Sequence, residues 1–188
     1  MTDQVKLHGI AAEGFDRRVA AIAPDQWNAP TPCTDWDVRA LVNHLVYEAK
    51  WAPDLFAGRT IEEVGDRYDG DQLGDDPVAA WRESNAGARA AIAEPGALER
   101  IVHLSFADLP GGEYLNQLIL DLAVHGWDLA RAIGADETID PVLVDAILPY
   151  IEANADMISG SGVFGERVPV GPDVDGQTKL LALLGRTA

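Results

Sequence analysis

The chain of 188 residues carries 14 Lys and Arg against 31 Asp and Glu, a formal charge of −17 that repels phosphate backbones and anionic lipids and argues against nucleic acid or membrane partners. The length is enough to bury a core in one domain over 1–188 without a structural metal, and the single cysteine excludes an intrachain disulfide. With no run of about 18 apolar residues and no basic-then-hydrophobic leader in "MTDQVKLHG", a cytoplasmic location is expected.

Leu7, Ala11, Phe15, Val19 and Ile22 recur at steps of four, four, four and three, which predicts an amphipathic helix over 3–22. In "APTPCTDWDVRALVNHLVYEAKW" two prolines precede Thr34, a candidate N-cap, with Asp37 placed to complement cap and dipole. The second helix is expected to start there and run to about Leu55. The Gly- and Asp-rich stretch 58–76 reads as a crossover holding a short helical turn. Asp76 and Pro77 form an N-cap with proline at the first helical position, opening an Ala-rich helix to Ala93 that Pro95 and Gly96 stop. "IVHLSFADLPGG" alternates like a strand before a turn at "PGG", with no evident pairing partner. Glu113 to Ile133 is apolar on almost every side, a central helix stopped by Gly134. A fifth helix follows from Pro141 to Met157, and residues 158–188 form an irregular tail, ending in a short apolar turn and packed on the bundle. The expected fold class is all-α, a helix bundle with a long crossover, the kind of scaffold that carries sites between facing helices.

Within "DLAVHGWDLARA", Asp121, His125 and Asp128 fall at a spacing of four and then three, so all three rise along one helical face. Tyr114, Leu118 and Ala132 share that face, and a buried carboxylate there needs a partner. Arg131, three residues after Asp128, supplies a structural answer, with His125 bonded to a carbonyl. The chemical answer is a metal ion, which a carboxylate and an imidazole four residues apart can both reach. A third ligand must come from another helix, and His44, with Glu48 one turn later, is the natural candidate. His8 reads as a packed or capping histidine, while His103, on the polar side of the extended stretch, reads equally as a substrate-facing group or an ordinary surface histidine. Cys33 lies eleven residues before His44, about 16 Å along a helix, and is rejected as a ligand to the same ion. The five tryptophans, Trp27, Trp36, Trp51, Trp81 and Trp127, are assigned to core or rim.

"PTPCTDWDVRALVNHLVYE" and "LDLAVHGWDLARAIG" together resemble the DinB/YfiT-like metal-binding superfamily, and within it the N-terminal domain of mycothiol-dependent maleylpyruvate isomerases and their short uncharacterised relatives. The tail "FGERVPVGPDVDGQTKLLALLGR" extends the likeness over nearly the whole chain. The resemblance implies a DinB-like four-helix bundle holding one divalent ion through His44, Asp121 and His125. Two departures accompany it: Asp121 stands where the isomerase pattern has glutamate, and the chain is too short to contain that enzyme's C-terminal domain in full.

Three protein ligands leave an open position, the arrangement of catalytic rather than structural zinc. Zinc is the expected ion, with nickel, cobalt and manganese suited to the same donors. Asp128 is expected to orient a ligand imidazole or to pair with Arg131. In such relatives the open position is thought to take a low-molecular-weight thiol such as mycothiol or bacillithiol, which adds to an activated double bond and leaves again, or displaces a leaving group. The expected function is therefore a thiol-dependent isomerase or transferase acting on a small electrophile. A non-catalytic metal-binding protein and a metal-dependent hydrolase stand as alternatives. The partner is a small molecule, a homodimer is left open, and Arg82, Arg89 and Arg131 are available for an anionic ligand. The pocket is expected between helix two, the 113–133 helix and the 101–112 segment.

Overall fold

A computed structural model describes residues 3–156 and 164–188. They form two compact units, 3–137 and 138–188. The architecture is all-α and DinB-like, with one small hairpin.

In the first unit, α1 (Gln4–Val19) starts where the Asp3 carboxylate accepts the Val5 N–H, and its Leu7, Ala11, Phe15 and Val19 stripe is buried. It ends three residues before Ile22, because the chain turns at 20–23 ahead of Pro24. The second helix, α2 (Val38–Phe56), corrects the expected cap: the Asp37 side chain accepts the Ala40 N–H at 2.8 Å, and Thr34 lies in the preceding turn. That turn is folded tightly, since Val38 N–H donates to the Ala29 carbonyl and the Thr31 hydroxyl donates to the Trp36 carbonyl at 2.8 Å.

The crossover holds α3 (Ile61–Val64), closed by a Thr60–Glu63 capping box. It is tied along α2 by Asn43, whose side chain bonds Gly70 and Gln72. As the Asp76–Pro77 pair predicts, α4 (Pro77–Ile92) is capped by Asp76. Strand β1 (Ile101–His103) does find a partner: it pairs antiparallel with β2 (Asp108–Pro110), register Val102 opposite Leu109. The expected turn at "PGG" is instead the start of α5 (Gly111–Ile133), whose Gly111 N–H donates to the Arg100 carbonyl. A Cβ at Gly111 would fall 2.2 Å from the Ala97 carbonyl oxygen, so only glycine lets the helix begin against that backbone. Gly134, at φ 69°, closes α5 in the left-handed conformation. α1 packs on α5 and α2 on α4, with α2 and α5 also in contact. Phe15 and Trp81, edge to face at 4.7 Å, join α1 to α4.

The second unit contains α6 (Pro141–Ala153), capped by Asp140, and α7 (Gly176–Leu183), capped by Asp175. The expected helix end at Met157 lies outside the described residues, as does the start of the tail. α7 is a two-turn helix rather than a single apolar turn, with Leu180 and Leu181 buried and Lys179 paired to Glu152. Among the described residues no helix is long and apolar enough to cross a membrane.

Candidate metal centre

His125 stands one turn above Asp121 on α5, so its Nε2 falls 3.3 Å from Asp121 Oδ1. The contact of α2 with α5 brings His44 Nε2 to 2.9 Å from the other carboxylate oxygen, Oδ2. One carboxylate thus faces two imidazoles through the same kind of nitrogen, and the donor atoms of His44, Asp121 and His125 all lie within 4.8 Å of one another. Two imidazole nitrogens and a carboxylate oxygen are a donor set that suits zinc, so the residues present fit a divalent ion. The aspartate, short as it is, reaches both rings from the helix backbone.

The opposite edge of the His125 ring is closed. Its Nδ1 lies 3.0 Å from Oδ2 of Asp128, which is fully buried three residues further on. A proton held at Nδ1 donates to Asp128 and leaves the Nε2 lone pair facing Asp121 and His44. Cys33 is there too: its thiol donates to Asp128 Oδ2 at 3.2 Å, and Sγ is 3.7 Å from His125 Nδ1. The distance argument against Cys33 fails because residues 29–37 are a folded turn and not helix, and that turn carries the thiol back to α5. Cys33, His125 and Asp128 form a second close group, on the Nδ1 edge rather than the Nε2 edge. The same turn lays Trp36 beside both rings, 4.7 Å from His44 and 5.4 Å from His125. The sequence offers Cys33 as a thiol set aside on distance and Trp36 as a core or rim ring, with no local signal that the proline-flanked turn brings both to this centre.

The electrostatics follow from this packing. Burial opposes charge on Asp121, yet the two imidazoles hold its carboxyl below the usual carboxylate range. Burial likewise opposes charge on His125, but Asp121 and Asp128 raise its pKa well above 6.5. Glu48, one turn after His44, is pushed up to about 7 by burial and by the neighbouring Asp121 charge.

A small pocket of about 20 Å³ ends on Asp121. Its walls are mostly apolar, with Leu45 from α2 and Leu118 from α5, and carry the polar groups of His8 from α1, Glu48 from α2, and Trp81 and Asn85 from α4. The 101–112 segment, expected as a wall, contributes no lining residue. His103 is not substrate-facing at this centre: its Nδ1 meets Asp108 at 2.8 Å across the exposed hairpin. His8 is packed, as expected, and also lines the pocket. Arg82 pairs with Asp16, Arg89 with Glu13, and Arg131 with Glu137 while lying 4.4 Å over the Trp127 ring.

A family model described as the mycothiol maleylpyruvate isomerase N-terminal domain matches residues 8–130, a span that contains His44, Asp121, His125 and Asp128. The chain is 28% identical over 191 residues to uncharacterised proteins of two Mycobacterium tuberculosis strains, CDC 1551 and H37Rv, with 98% of each chain covered. Crystal structures of the mycothiol-dependent maleylpyruvate isomerase and of a point mutant superpose with a TM-score of 0.62 at 17% and 16% identity. The superposition covers 83% of this chain and 68% of the isomerase chains, a likeness of fold.

Proposed function

The chain belongs to the family of the mycothiol maleylpyruvate isomerase N-terminal domain, and from that premise we propose that it is a divalent-metal-binding, thiol-dependent isomerase or transferase acting on a small electrophile. The observation that carries the reading is the convergence of one donor atom each from His44, Asp121 and His125 within 4.8 Å, with an Asp121 oxygen facing each imidazole. These three side chains are the proposed ligands, and zinc is the proposed ion. When bound, a divalent ion lowers the pKa of a coordinated thiol so that it is deprotonated at neutral pH, which supplies the nucleophile of such chemistry.

The chain's own residues do the rest. Asp128 holds the His125 ring by its Nδ1 edge, and Asp121, anchored between two imidazoles, stays ionised. The Trp36 ring covers one side of both imidazoles and limits water there. The family's description names mycothiol, which supports a thiol of that kind.

Metal analysis of the purified protein should return one ion per chain. In a cobalt-loaded sample, added thiol should produce thiolate-to-metal charge-transfer absorption, and His125→Ala should abolish it. A spectrum unmoved by saturating thiol, together with hydrolysis of an ester or amide, would replace this reading with a hydrolase.

A further inference from the structure

The pocket beside Asp121 is mostly apolar, and four polar side chains besides Asp121 reach its walls: His8, Glu48, Trp81 and Asn85. The Trp81 indole N–H is buried with no acceptor among the described residues, and Trp81 is only 1% exposed. The side chains of His8, Glu48 and Asn85 likewise have no hydrogen-bond partner among the described residues. An unpaired buried polar group costs about 1–3 kcal/mol, so the buried Trp81 N–H, beside three partnerless polar side chains on the same walls, points to something that completes it. The space, about 20 Å³, has room for a single water-sized group.

Resting on the thiol-site reading above, we infer that this pocket is a subsite for a hydroxyl group of the thiol ligand or its substrate. The chemistry of the walls selects that group. Trp81 can only donate, whereas the Asn85 carbonyl and, in its ionised form, Glu48 accept, so one small atom that both accepts and donates satisfies them together. A hydroxyl oxygen does both. An ammonium group has no lone pair for the indole, a methyl group satisfies nothing, and a carboxylate is too large and is repelled by Glu48 and Asp121. His8, its pKa lowered to about 4 by burial and by Arg89, stays neutral and adds no charge that would draw an anion. Glu48 and Asn85 are half-buried, which leaves the pocket a way in, and Asp121 makes it continuous with the ligand set.

The test pairs two thiols that differ only in hydroxyls, 1-thioglycerol and 1-propanethiol, on the cobalt-loaded full chain. By the charge-transfer band 1-thioglycerol should bind at least about tenfold more tightly, the worth of one or two net hydrogen bonds. Asn85→Ala should bring the two affinities together. In parallel, the Trp81 indole cross-peak in a 1H–15N spectrum should move downfield with 1-thioglycerol and stay put with 1-propanethiol. Equal affinities with an unmoved Trp81 signal overturn the inference and leave a pocket that holds only water, while the thiol reading stands. If no thiol gives a charge-transfer band, the thiol reading falls and glycerol alone decides the subsite. A saturable Trp81 shift with glycerol supports it, and none overturns it.

Discussion

Two acidic sites border α2, Asp54 on its crossover side and Asp121 with Glu48 where it meets α5, and they are answered in opposite ways. Asp54, 12% exposed at its side chain, is surrounded by its own chain's cations and a phenol: Arg59 at 3.1 Å, Arg67 at 2.9 Å and the Tyr68 hydroxyl at 2.8 Å. It needs nothing from outside. Asp121 and Glu48 have no lysine or arginine partner among the described residues: Asp121 faces two imidazoles, and Glu48 lies in the field of the Asp121 charge. A carboxylate answered by guanidinium is a finished structural joint; carboxylates answered by titratable rings leave negative charge that a divalent cation completes.

The largest expected effect separates the two clusters outright. Asp121→Asn should weaken zinc or cobalt binding by more than about 100-fold, beyond the range typical of residues that merely support a ligand. Asp54→Ala should leave metal binding unchanged and lower the unfolding free energy only modestly, because the half-exposed Arg59 and Arg67 regain water when their acceptor is removed. Calorimetric metal titration and denaturant melts of both variants check this; metal loss in Asp54→Ala would erase the contrast.

Next comes pH. In the metal-free protein His125 binds its proton more tightly than a free histidine, so an arriving ion must expel it. Affinity should fall about tenfold per pH unit on acidification below the His125 pKa, with about one proton released per ion at pH 7. Titration in buffers of different ionisation enthalpy measures that number. The linkage has a second sign: a raised histidine pKa stabilises the metal-free fold below the unfolded pKa of about 6.5. That stability is lost as pH rises through the folded value, so metal-free protein should melt lower at pH 9 than at pH 6.

Asp128→Asn keeps an acceptor for His125 Nδ1 but removes its charge, and should weaken the ion by about tenfold without abolishing binding. The smallest effect is expected of Cys33→Ser, since a hydroxyl can donate to Asp128 in place of the thiol. Stability should change by no more than about 0.5 kcal/mol and metal affinity by less than about twofold. A loss as large as that of Asp121→Asn would move the ion to the Nδ1 edge of His125, and the two-cluster comparison would have to be redrawn around Cys33.

What the sequence alone determined is whatever covalent spacing and local chemistry decide. Asp76 before Pro77 and Gly134 after Ile133 mark helix ends because a cap and a left-handed glycine act on the nearest backbone groups. Asp121, His125 and Asp128 share a face because four and three residues are each about one helical turn. Pairing His44 with them drew on family likeness, and only the packing of α2 against α5 brings Nε2 to Asp121. The remainder was decided at long range. Asp37 rather than Thr34 caps α2 because the 29–37 turn closes on itself, and that closure also delivers Cys33 and Trp36 to the centre. Gly111 and Gly112 open a helix instead of a turn because the backbone at Leu98 and Arg100 accepts their N–H groups. The pocket's walls come from α1, α2, α4 and α5, and neighbours so far apart along the chain leave no mark in its periodicity; they meet only when the buried faces find one another.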